Sequence, residues 1–538
     1  MRPRSASFGR GPSLTGDGLL QLNEDLQLSG SNFISTRADQ DSLSFMAPKA
    51  RYDLKQHLIT ANEVQYIQVA DALITPDSMR VRIRRNAEMD PINNAIITAN
   101  SVTKYHTIYN ATVNIRKKRD YNAYGDYDYV DETDKKFKIH FTNIQVDTAY
   151  QTYAKGRIGE EERFQLSPAF DYFGDVLLTA TSKELTFSGS TRILHDCAGI
   201  GKNWMRFTGP IDPKEVFIPV GDSLSDDAGA DIGAGIFLNS DDPFRPYGTF
   251  LSKKDAKADR TVVAAKGLLF FDKAKKSYMI GSKDKIRQAD LPGDLVTLST
   301  ENCSLSASGR IGTGTQLGRV KADDFGTLDF RAGDSARAVA QVSMYLDFFF
   351  HENALEKMAE DILKYPEQKA VDIGKTPYER SMREMLGKEK SDKLISELSI
   401  KGEIKRLPDE LIKPIVLADV KLRWNSEDQS WQSQGPIGIA TVLKKPLFRT
   451  VKGKIEFQRK RSGDAMHVLL MLDDQTYWFF SYARGQMLTY SSDPAFNTMI
   501  SELKEDKMKQ DSKKDEAEYR FMLTGKRKVD EFRDRFGL

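Results

Sequence analysis

His195 and Cys197 are the residue types that could form a nucleophile and its base. Side chains two positions apart in a strand share a face, so this pair could meet, but no orienting third group or oxyanion hole is identifiable. The next residues carry glycines and a lysine in the order of a phosphate-binding loop. However, Asp196 stands at the first glycine position and Asn203 at the Mg²⁺-binding hydroxyl position. We interpret this segment as a turn after a strand.

Two further motifs are incomplete as metal or cofactor sites. His351 and Glu352 begin like the helix of a zinc protease, but Leu355 occupies the position of the second histidine ligand. The run from Gly312 to Gly318 is one residue too long for a dinucleotide fingerprint and lies in hairpin-like sequence. The sequence therefore predicts no catalytic residue, no cofactor and no enzyme activity.

A second group of candidates consists of four aspartates in a stretch rich in aspartate, glycine, alanine and serine: Asp222, Asp226, Asp227 and Asp231. Carboxylate oxygens are the ligands that calcium prefers, although this spacing fits no known calcium loop. A solvated acidic loop without a ligand is the alternative interpretation. Calcium binding is the only metal chemistry that the sequence suggests.

Four tyrosines alternate with acidic residues in one segment: Tyr121, Tyr124, Tyr127 and Tyr129. Aromatic rings in such a run could stack on a sugar, because ring faces pack against apolar surface. The alternative is an exposed hairpin in which the rings form cross-strand pairs. The segment is our candidate for ligand binding.

The composition describes a folded protein with a balanced charge. A chain of 538 residues suggests roughly three domains, and its 40% hydrophobic content can bury several cores. The net charge of only +2 provides no general attraction to nucleic acid, so we expect no nucleic-acid partner. The longest apolar runs are strand-sized, well below the roughly 20 residues of a membrane-spanning helix. We expect no transmembrane segment.

Cys197 and Cys303 are the two cysteines of the chain. Two cysteines in a chain of this length make neither a disulfide scaffold nor a zinc framework. One bridge between them could form outside the cytoplasm, provided that their Cα atoms come within about 7 Å. The sequence leaves their pairing open.

A tandem repeat near the N-terminus is the clearest feature of the sequence. Residues 41–76 and 77–113 both begin with Asp-Ser and both reach Ile-Thr-Ala-Asn-x-Val, at Ile59–Val64 and Ile97–Val102. A period of about 37 residues is typical of stacked supersecondary units. Each copy has β-type alternation, and we place a strand corner at Asn62 or Asn100, because asparagine tolerates the left-handed conformation.

These patterns predict a mainly β protein with a helical insert. Stacked, solenoid-like β-repeat sheets come first, and an antiparallel β meander with two C-terminal helices follows. Helical spacing of apolar residues marks the insert. The predicted segments are a partly disordered or truncated start, the β-repeat region, a β-rich region, the helical insert and the C-terminal domain, at 1–40, 41–150, 151–345, 346–410 and 411–538.

The first residues carry arginines but no apolar core of a secretory signal. Either the protein is cytoplasmic, or the chain is the C-terminal part of a longer polypeptide. We favour the second interpretation, because the repeat begins within a few dozen residues without a recognisable cap.

The repeat units resemble the OstA/LptA-type β-repeats of lipopolysaccharide-transport proteins. Several longer segments resemble very large, uncharacterised β-repeat proteins of Bacteroidota; these include the strand pair at Lys266 to Tyr278 and the segment YWFFSYARGQMLTYSSDPAFNTMISELK. The resemblance implies an extracytoplasmic setting, in the periplasm or at the outer membrane, with envelope proteins or lipid as partners. It implies no mechanism.

Three functions follow as hypotheses. The first is a non-catalytic cell-envelope scaffold that handles lipid or lipopolysaccharide, because a groove lined by apolar strands could shelter an acyl chain at about 0.8 kcal/mol per buried CH₂. The second is a carbohydrate- or protein-binding surface module that uses the tyrosine-rich and acidic loops. The third is a hydrolase with a pair of carboxylates.

Overall fold

The computed structural model divides the chain into two compact units. Unit 1 comprises residues up to 194 together with 204–219, and unit 2 comprises 195–203 and 220–538. The residues described are 2–3, 25–221, 223–332, 337–366, 369–401, 404, 406–511 and 518–538. The boundary between the units crosses the predicted 151–345 region, because the strands up to Met205–Ile211 extend the sheet of unit 1. Most of the predicted 1–40 segment lies outside the described residues.

Unit 1 contains two antiparallel sheets. The smaller has five strands, in the spatial order Arg2–Pro3, Asp25–Ile34, Ser44–Asp53, Leu58–Asn62 and Arg80–Ile83. The larger runs in the spatial order Met205–Ile211, Leu185–Ile193, Phe170–Thr179, Thr152–Ile158, Lys136–Val146, Asp120–Val130, His106–Lys117, Ile92–Ala99, Ala72–Thr75 and Ile67–Val69, and Gln165–Ser167 pairs with Phe170–Thr179. Short 3-10 turns occur at Ala38–Gln40, Arg85–Ala87 and Glu160–Glu162.

The strands of the larger sheet form because apolar residues recur at every second position, which places them on one face. In Met205–Ile211 the buried residues alternate with exposed Arg206, Thr208 and Pro210. Aromatic rings from neighbouring strands then pack edge to face, as Tyr172 and Phe187 do with ring centroids 5.0 Å apart. This packing gives unit 1 a core of its own.

Both copies of the tandem repeat fold as strands, as predicted. The first Ile-Thr-Ala-Asn lies in Leu58–Asn62 of the smaller sheet, and the second begins in Ile92–Ala99 of the larger sheet. Asn100 has a left-handed φ of 59° and its Oδ1 accepts the N–H of Val102, so the corner predicted there is confirmed. In the first copy the left-handed residue is Glu63, one position after Asn62.

Unit 2 contains a long sheet and a small one. The long sheet runs Gly267–Asp272, Ser277–Gly281, Leu295–Ser299, Leu305–Arg310, Lys321–Arg331, Arg337–Asp347, Lys413–Asn425, Ser430–Ser433, Lys445–Gln458, Ala465–Met471, Tyr477–Ala483, Gln486–Ser491, Tyr519–Leu523 and Lys509–Gln510, with Ile437–Leu443 alongside. The small sheet has the order Pro246–Lys253, Ile232–Leu238 and Arg260–Ala264. The strand Ile218–Val220 lies where the chain passes from one unit to the other.

The predicted helical insert is confirmed. Its helices are Glu352–Lys364, Tyr378–Leu386 and Lys388–Lys401. Tyr378 and Met382 are fully buried against strand residues such as Val416, so one face of the second helix completes a core of the sheet. The remaining helices are Lys283–Arg287, Pro494–Ser501 and Lys526–Phe536, with 3-10 turns at Ile373–Lys375, Asp409–Leu411 and Glu505–Lys507. None of the helices described has the length and apolar character needed to cross a bilayer.

The C-terminal meander with its two helices is also present, with one difference from the prediction. The helix capped by Asp493 runs over Pro494–Ser501. The last strand, Tyr519–Leu523, pairs parallel with Gln486–Ser491, so the sheet is not antiparallel throughout. A parallel pairing arises because the chain crosses over between these two strands instead of turning back in a hairpin.

Cys197 and Cys303 form a disulfide bond in unit 2, with their Cα atoms 5.3 Å apart. The bond closes a loop across 106 positions of the sequence. It answers the question that the sequence left open, and it removes the thiol that a Cys–His nucleophile pair would require.

We expect reduction of this bond to destabilise unit 2 by about 2–5 kcal/mol, because an intact crosslink restricts the unfolded chain. Urea unfolding with and without dithiothreitol measures the change. Tryptophan fluorescence reports mainly on unit 2, because Trp424, Trp431 and Trp478 lie there and the fourth tryptophan, Trp204, lies in unit 1. Dithiothreitol should have no further effect on the Cys197→Ser/Cys303→Ser variant. Two results together would contradict the bond. Dithiothreitol would leave the urea midpoint of the unsubstituted chain unchanged, and two free thiols would be titrated in the denatured chain without dithiothreitol.

Candidate binding groove

A groove of about 1050 Å³ opens in unit 1 and is lined by residues of both of its sheets. We call it the unit 1 groove. Its lining comes from parts of the chain that are far apart in sequence. The lining residues are Asn32, Ser44, Phe45, Met46, Pro48, Glu63, Gln65, Tyr66, Gln68, Ala70, Asp71, Lys118, Arg119, Tyr150 and Gln151.

A two-residue turn organises this groove. Ala70 and Asp71 join the strands Ile67–Val69 and Ala72–Thr75, and Ala70 takes a left-handed φ of 52°, as the first residue of a tight hairpin turn does. The N–H of Ala70 donates to the carbonyl of Lys118 at 2.9 Å, and the carbonyl of Asp71 accepts from Ser101 at 2.7 Å. The turn is thus bonded to two other turns of the larger sheet.

The walls of the groove carry large side chains that are exposed. Met46, Tyr66 and Tyr150 are 67%, 53% and 48% exposed, respectively. Folding normally removes such side chains from water, at a gain of about 25 cal/mol per Å². Three of them around one groove therefore form a surface that a ligand with an apolar face could cover.

The floor of the groove is polar and ordered by a hydrogen-bonded chain. Oδ1 of Asp71 accepts from the N–H of Thr152 at 3.0 Å and from its hydroxyl at 2.6 Å. Because that hydroxyl proton is committed to Asp71, Tyr121 is the donor in its 2.9 Å bond to Thr152 Oγ1. Burial raises the pKa of Tyr121, which keeps its donor proton in place.

Two acceptor atoms of the floor are left over. Oδ2 of Asp71 and Oε1 of Gln151 are shielded from solvent, and neither accepts a hydrogen bond from any described residue. Most buried polar atoms of native proteins have a partner, so a pair without one in a single groove needs an explanation. Both atoms are acceptors on side chains that line the groove, and a ligand that donates, such as one with a hydroxyl group, would pair with them once these side chains turn toward the groove.

The rim of the groove carries two cations. Lys118 and Arg119 form the turn between His106–Lys117 and Asp120–Val130, and the guanidinium carbon of Arg119 lies 4.9 Å from the ring centre of Tyr150. Glu63, on another part of the lining, is paired with Lys49 at 2.7 Å.

No known protein family, curated protein or solved structure matches this chain. Its function therefore has to be argued from its own geometry.

The structure does not bring the four tyrosines of the sequence prediction onto one surface. Tyr121 and Tyr129 are buried in the core, where the hydroxyl of Tyr129 donates to the carbonyl of Leu166. Tyr127 is half-buried and Tyr124 is 48% exposed. Tyr121, Tyr127 and Tyr129 are separated by even numbers of positions in the strand Asp120–Val130 and share its inner face, whereas Tyr124 has the opposite parity and lies on the outer face. Ligand binding at this set stays a prediction, and Tyr121 reaches the unit 1 groove only through Thr152.

The aspartates of the calcium prediction pair with lysines or remain exposed. Asp222 lies outside the described residues. Oδ1 of Asp226 accepts from the N–H of Ala230 and its Oδ2 lies 3.6 Å from Lys253, while Asp231 lies 3.9 Å from Lys257. Asp227 is exposed. Within the described ranges no group of three or more His, Cys, Asp or Glu is arranged to hold a metal ion.

Buried charged groups in unit 2 have a structural role. Nζ of Lys285 donates to the carbonyl of Leu291 and lies 3.8 Å from Oε1 of Glu384, which also accepts the N–H of Gly293. Burial lowers the pKa of Lys285 and raises that of Glu384. These bonds fasten a turn to the helix Tyr378–Leu386, so the shifted pKa values have a cause in packing.

The residues of the unit 1 groove were missed by sequence reasoning. Asp71, Tyr66 and Tyr150 belong to no motif, and they meet only because the turn at Ala70 and Asp71 contacts distant turns. A weak signal existed, since Tyr66 lies in the first repeat copy directly after Ile-Thr-Ala-Asn-x-Val.

His467 of unit 2 should make stability depend on pH. Burial, with the charges of Lys460 and Arg535, lowers its pKa to about 3 from the 6.5 of an exposed histidine. Between pH 6.5 and 3 the unfolded chain binds a proton that the folded chain does not, so stability falls as pH falls through this range. Between pH 7 and pH 5 the free energy of unfolding should fall by about 1–2 kcal/mol less in His467→Asn than in the unsubstituted chain, as measured by urea unfolding.

The matched control is His57→Asn, because His57 is exposed and its φ of 50° suits asparagine. This variant should keep the pH dependence of the unsubstituted chain. Equal losses in all three proteins would contradict the assignment to His467.

Proposed function

We propose that this chain is a non-catalytic carbohydrate-binding scaffold protein that holds an oligosaccharide in the unit 1 groove. The observation that carries the proposal is the combination of exposed Tyr66 and Tyr150 on the walls with the unpartnered acceptors of Asp71 and Gln151 on the floor.

A pyranose ring matches these two features at once. Its C–H groups form an apolar face that packs on an aromatic ring, and its hydroxyl groups donate hydrogen bonds around the edge. Once their side chains turn toward the groove, Asp71 Oδ2 and Gln151 Oε1 would accept two of those hydroxyl protons, which removes the cost of leaving buried acceptors unpaired. A purely apolar ligand would leave both acceptors unpaired, so the lining favours a sugar over an acyl chain.

The volume and position of the groove agree with this ligand. At about 1050 Å³ it is at the upper end of the range that small-molecule sites occupy, so several sugar residues would fit. It lies among strand ends and turns, where segments held by a rigid sheet commonly bind ligands.

An extracytoplasmic location is part of the proposal. Disulfide bonds persist in oxidising compartments and are rare in the cytosol, and the Cys197–Cys303 bond supports such a setting. The wider envelope role and the envelope partners expected from the sequence resemblance remain proposals of the same kind.

The alternative to sugar binding alone is hydrolysis of the bound sugar, which would require a pair of carboxylates. Asp323 and Asp324 are adjacent in the strand Lys321–Arg331 and therefore point to opposite faces of the sheet. In the unit 1 groove, Glu63 is paired with Lys49 and Asp71 is bonded to Thr152. These arrangements support a binding role, and analysis of the bound oligosaccharide for cleavage products tests the alternative directly.

Lipid handling is a second candidate, supported by a smaller groove in unit 2. This groove has a volume of about 360 Å³, and apolar residues such as Leu224, Ile232 and Phe237 line it. Lys254 lies at the same groove, with its Nζ 4.3 Å from the ring centre of Phe237. An alkyl chain with an anionic headgroup would fit this lining.

Replacing the wall tyrosines should weaken sugar binding. The full-length protein is screened on a glycan array, and the affinity for the best oligosaccharide is then measured by isothermal titration calorimetry. We expect Tyr66→Ala/Tyr150→Ala to bind at least about tenfold more weakly, since aromatic contacts contribute about 1 kcal/mol each beyond buried area.

The matched control is Tyr124→Ala, which removes a tyrosine of the same unit with the same 48% exposure as Tyr150 but outside the groove. This control should bind like the unsubstituted protein. No glycan binding at all, or equal affinities in the three proteins, would reject the proposed function. A weakened control would instead place the binding surface at the tyrosine set predicted from the sequence.

The lipid candidate predicts a complex with palmitic acid of 1:1 stoichiometry in native mass spectrometry. Ala264 lines the unit 2 groove at an exposed position, so Ala264→Trp should fill the groove and remove the adduct without disturbing the core. Tyr66→Ala/Tyr150→Ala should retain it. If the unsubstituted protein shows no adduct, or if Ala264→Trp keeps it, the lipid candidate is wrong.

A further inference from the structure

Lys118 and Arg119 line the unit 1 groove and, unlike the nearby Arg116 and Lys49, have no anionic partner among the described residues. In the part of the chain that the structure describes, neither side chain forms an ion pair. Their neighbour Arg116 is paired with Asp120 at 2.7 Å, and Lys49 is paired with Glu63. Two adjacent cations at the rim of one groove are therefore available to a ligand.

We propose that the unit 1 groove selects acidic oligosaccharides, with the carboxylates of uronic acid residues bound by Lys118 and Arg119. The inference rests on the proposed sugar-binding function and adds the charge of the ligand to it.

Arg119 is placed for this role by its contact with Tyr150. The guanidinium carbon lies 4.9 Å from the ring centre, a cation–π distance that restricts the side chain, and among the described residues Arg119 makes no side-chain hydrogen bond. A planar guanidinium can bind both oxygens of a carboxylate, and such charge-assisted bonds are stronger than neutral ones. Lys118 adds a second cation at the adjacent position of the same turn.

The acidic residues of the lining do not cancel these cations. The charge of Glu63 is balanced by Lys49, 2.7 Å away. Oδ1 of Asp71 accepts two hydrogen bonds from Thr152, and these bonds stabilise the negative charge of its carboxylate. The lining thus combines a hydroxyl-accepting floor with a cationic rim. A uronic acid residue carries both complementary groups, hydroxyls and a carboxylate, on one ring.

The neutral counterpart of a uronic acid oligosaccharide is its methyl ester, which keeps the ring and the hydroxyl groups and loses the charge. The probes are tetramers of galacturonate, glucuronate and mannuronate, each paired with its methyl ester. Calorimetry with the full-length protein should give at least about tenfold tighter binding of one acid form than of its ester at low salt. The preference should shrink as salt rises, because salt screens exposed charges.

The decisive variant is Lys118→Gln/Arg119→Gln, which should bring the ratio of the two affinities close to one. The matched control, Lys104→Gln/Lys183→Gln, removes the same amount of charge from exposed positions of unit 1 and should keep the preference. A circular dichroism spectrum confirms that each variant is folded.

Each other outcome overturns the inference. Equal binding of acid and ester, or a preference that survives Lys118→Gln/Arg119→Gln, rejects these cations as the selective element while the proposed function stands. Failure of every uronic acid probe, with neutral sugars still bound on the glycan array, does the same. If neither the array nor the probes show binding, the proposed function fails together with the inference.

Discussion

The hydrogen bonds of one two-residue turn hold the unit 1 groove together. Ala70 and Asp71 bond through their backbone to Lys118 and Ser101, and the Asp71 side chain bonds to Thr152. Three turns that are far apart in sequence are thereby held around the edge hairpin of the larger sheet. The exposed rings, the free acceptors and the cations of the groove all lie in these turns or next to them, so their geometry depends on this contact.

Local sequence patterns predicted the strands and helices but not the unit 1 groove. Alternation in the repeat copies and helical spacing in the insert predicted at 346–410 identified strands and helices correctly, because both patterns reflect one buried face. The corner at Asn100 followed from the tolerance of asparagine for positive φ. By contrast, Asp71 and Thr152 are 81 positions apart, and their hydrogen bond depends on strand order that no local pattern encodes.

The tyrosine segment shows why composition misled. A run of aromatic and acidic residues suggested an exposed platform, yet Tyr121 and Tyr129 take core positions and only Tyr124 is well exposed. Burial along the strand Asp120–Val130 alternates with a period of two, so three of the rings share the inner face and only Tyr124 lies on the outer face. Cys197 shows that a local motif can also mislead. Beside His195 it resembles a nucleophile, but its bond to the distant Cys303 leaves it without a free thiol.

The proposed sugar complex would join two kinds of recognition that respond differently to conditions. Contact with Tyr66 and Tyr150, and hydrogen bonds to Asp71 and Gln151, act at close range and are little affected by salt. Attraction to Lys118 and Arg119 at the exposed rim reaches about 10 Å and weakens as salt screens it. An acidic polymer would therefore be drawn to the rim first and discriminated by the floor afterwards. Because Oδ2 of Asp71 is buried and its Oδ1 is hydrogen-bonded to Thr152, the floor in this proposed complex would decide which sugar stays bound.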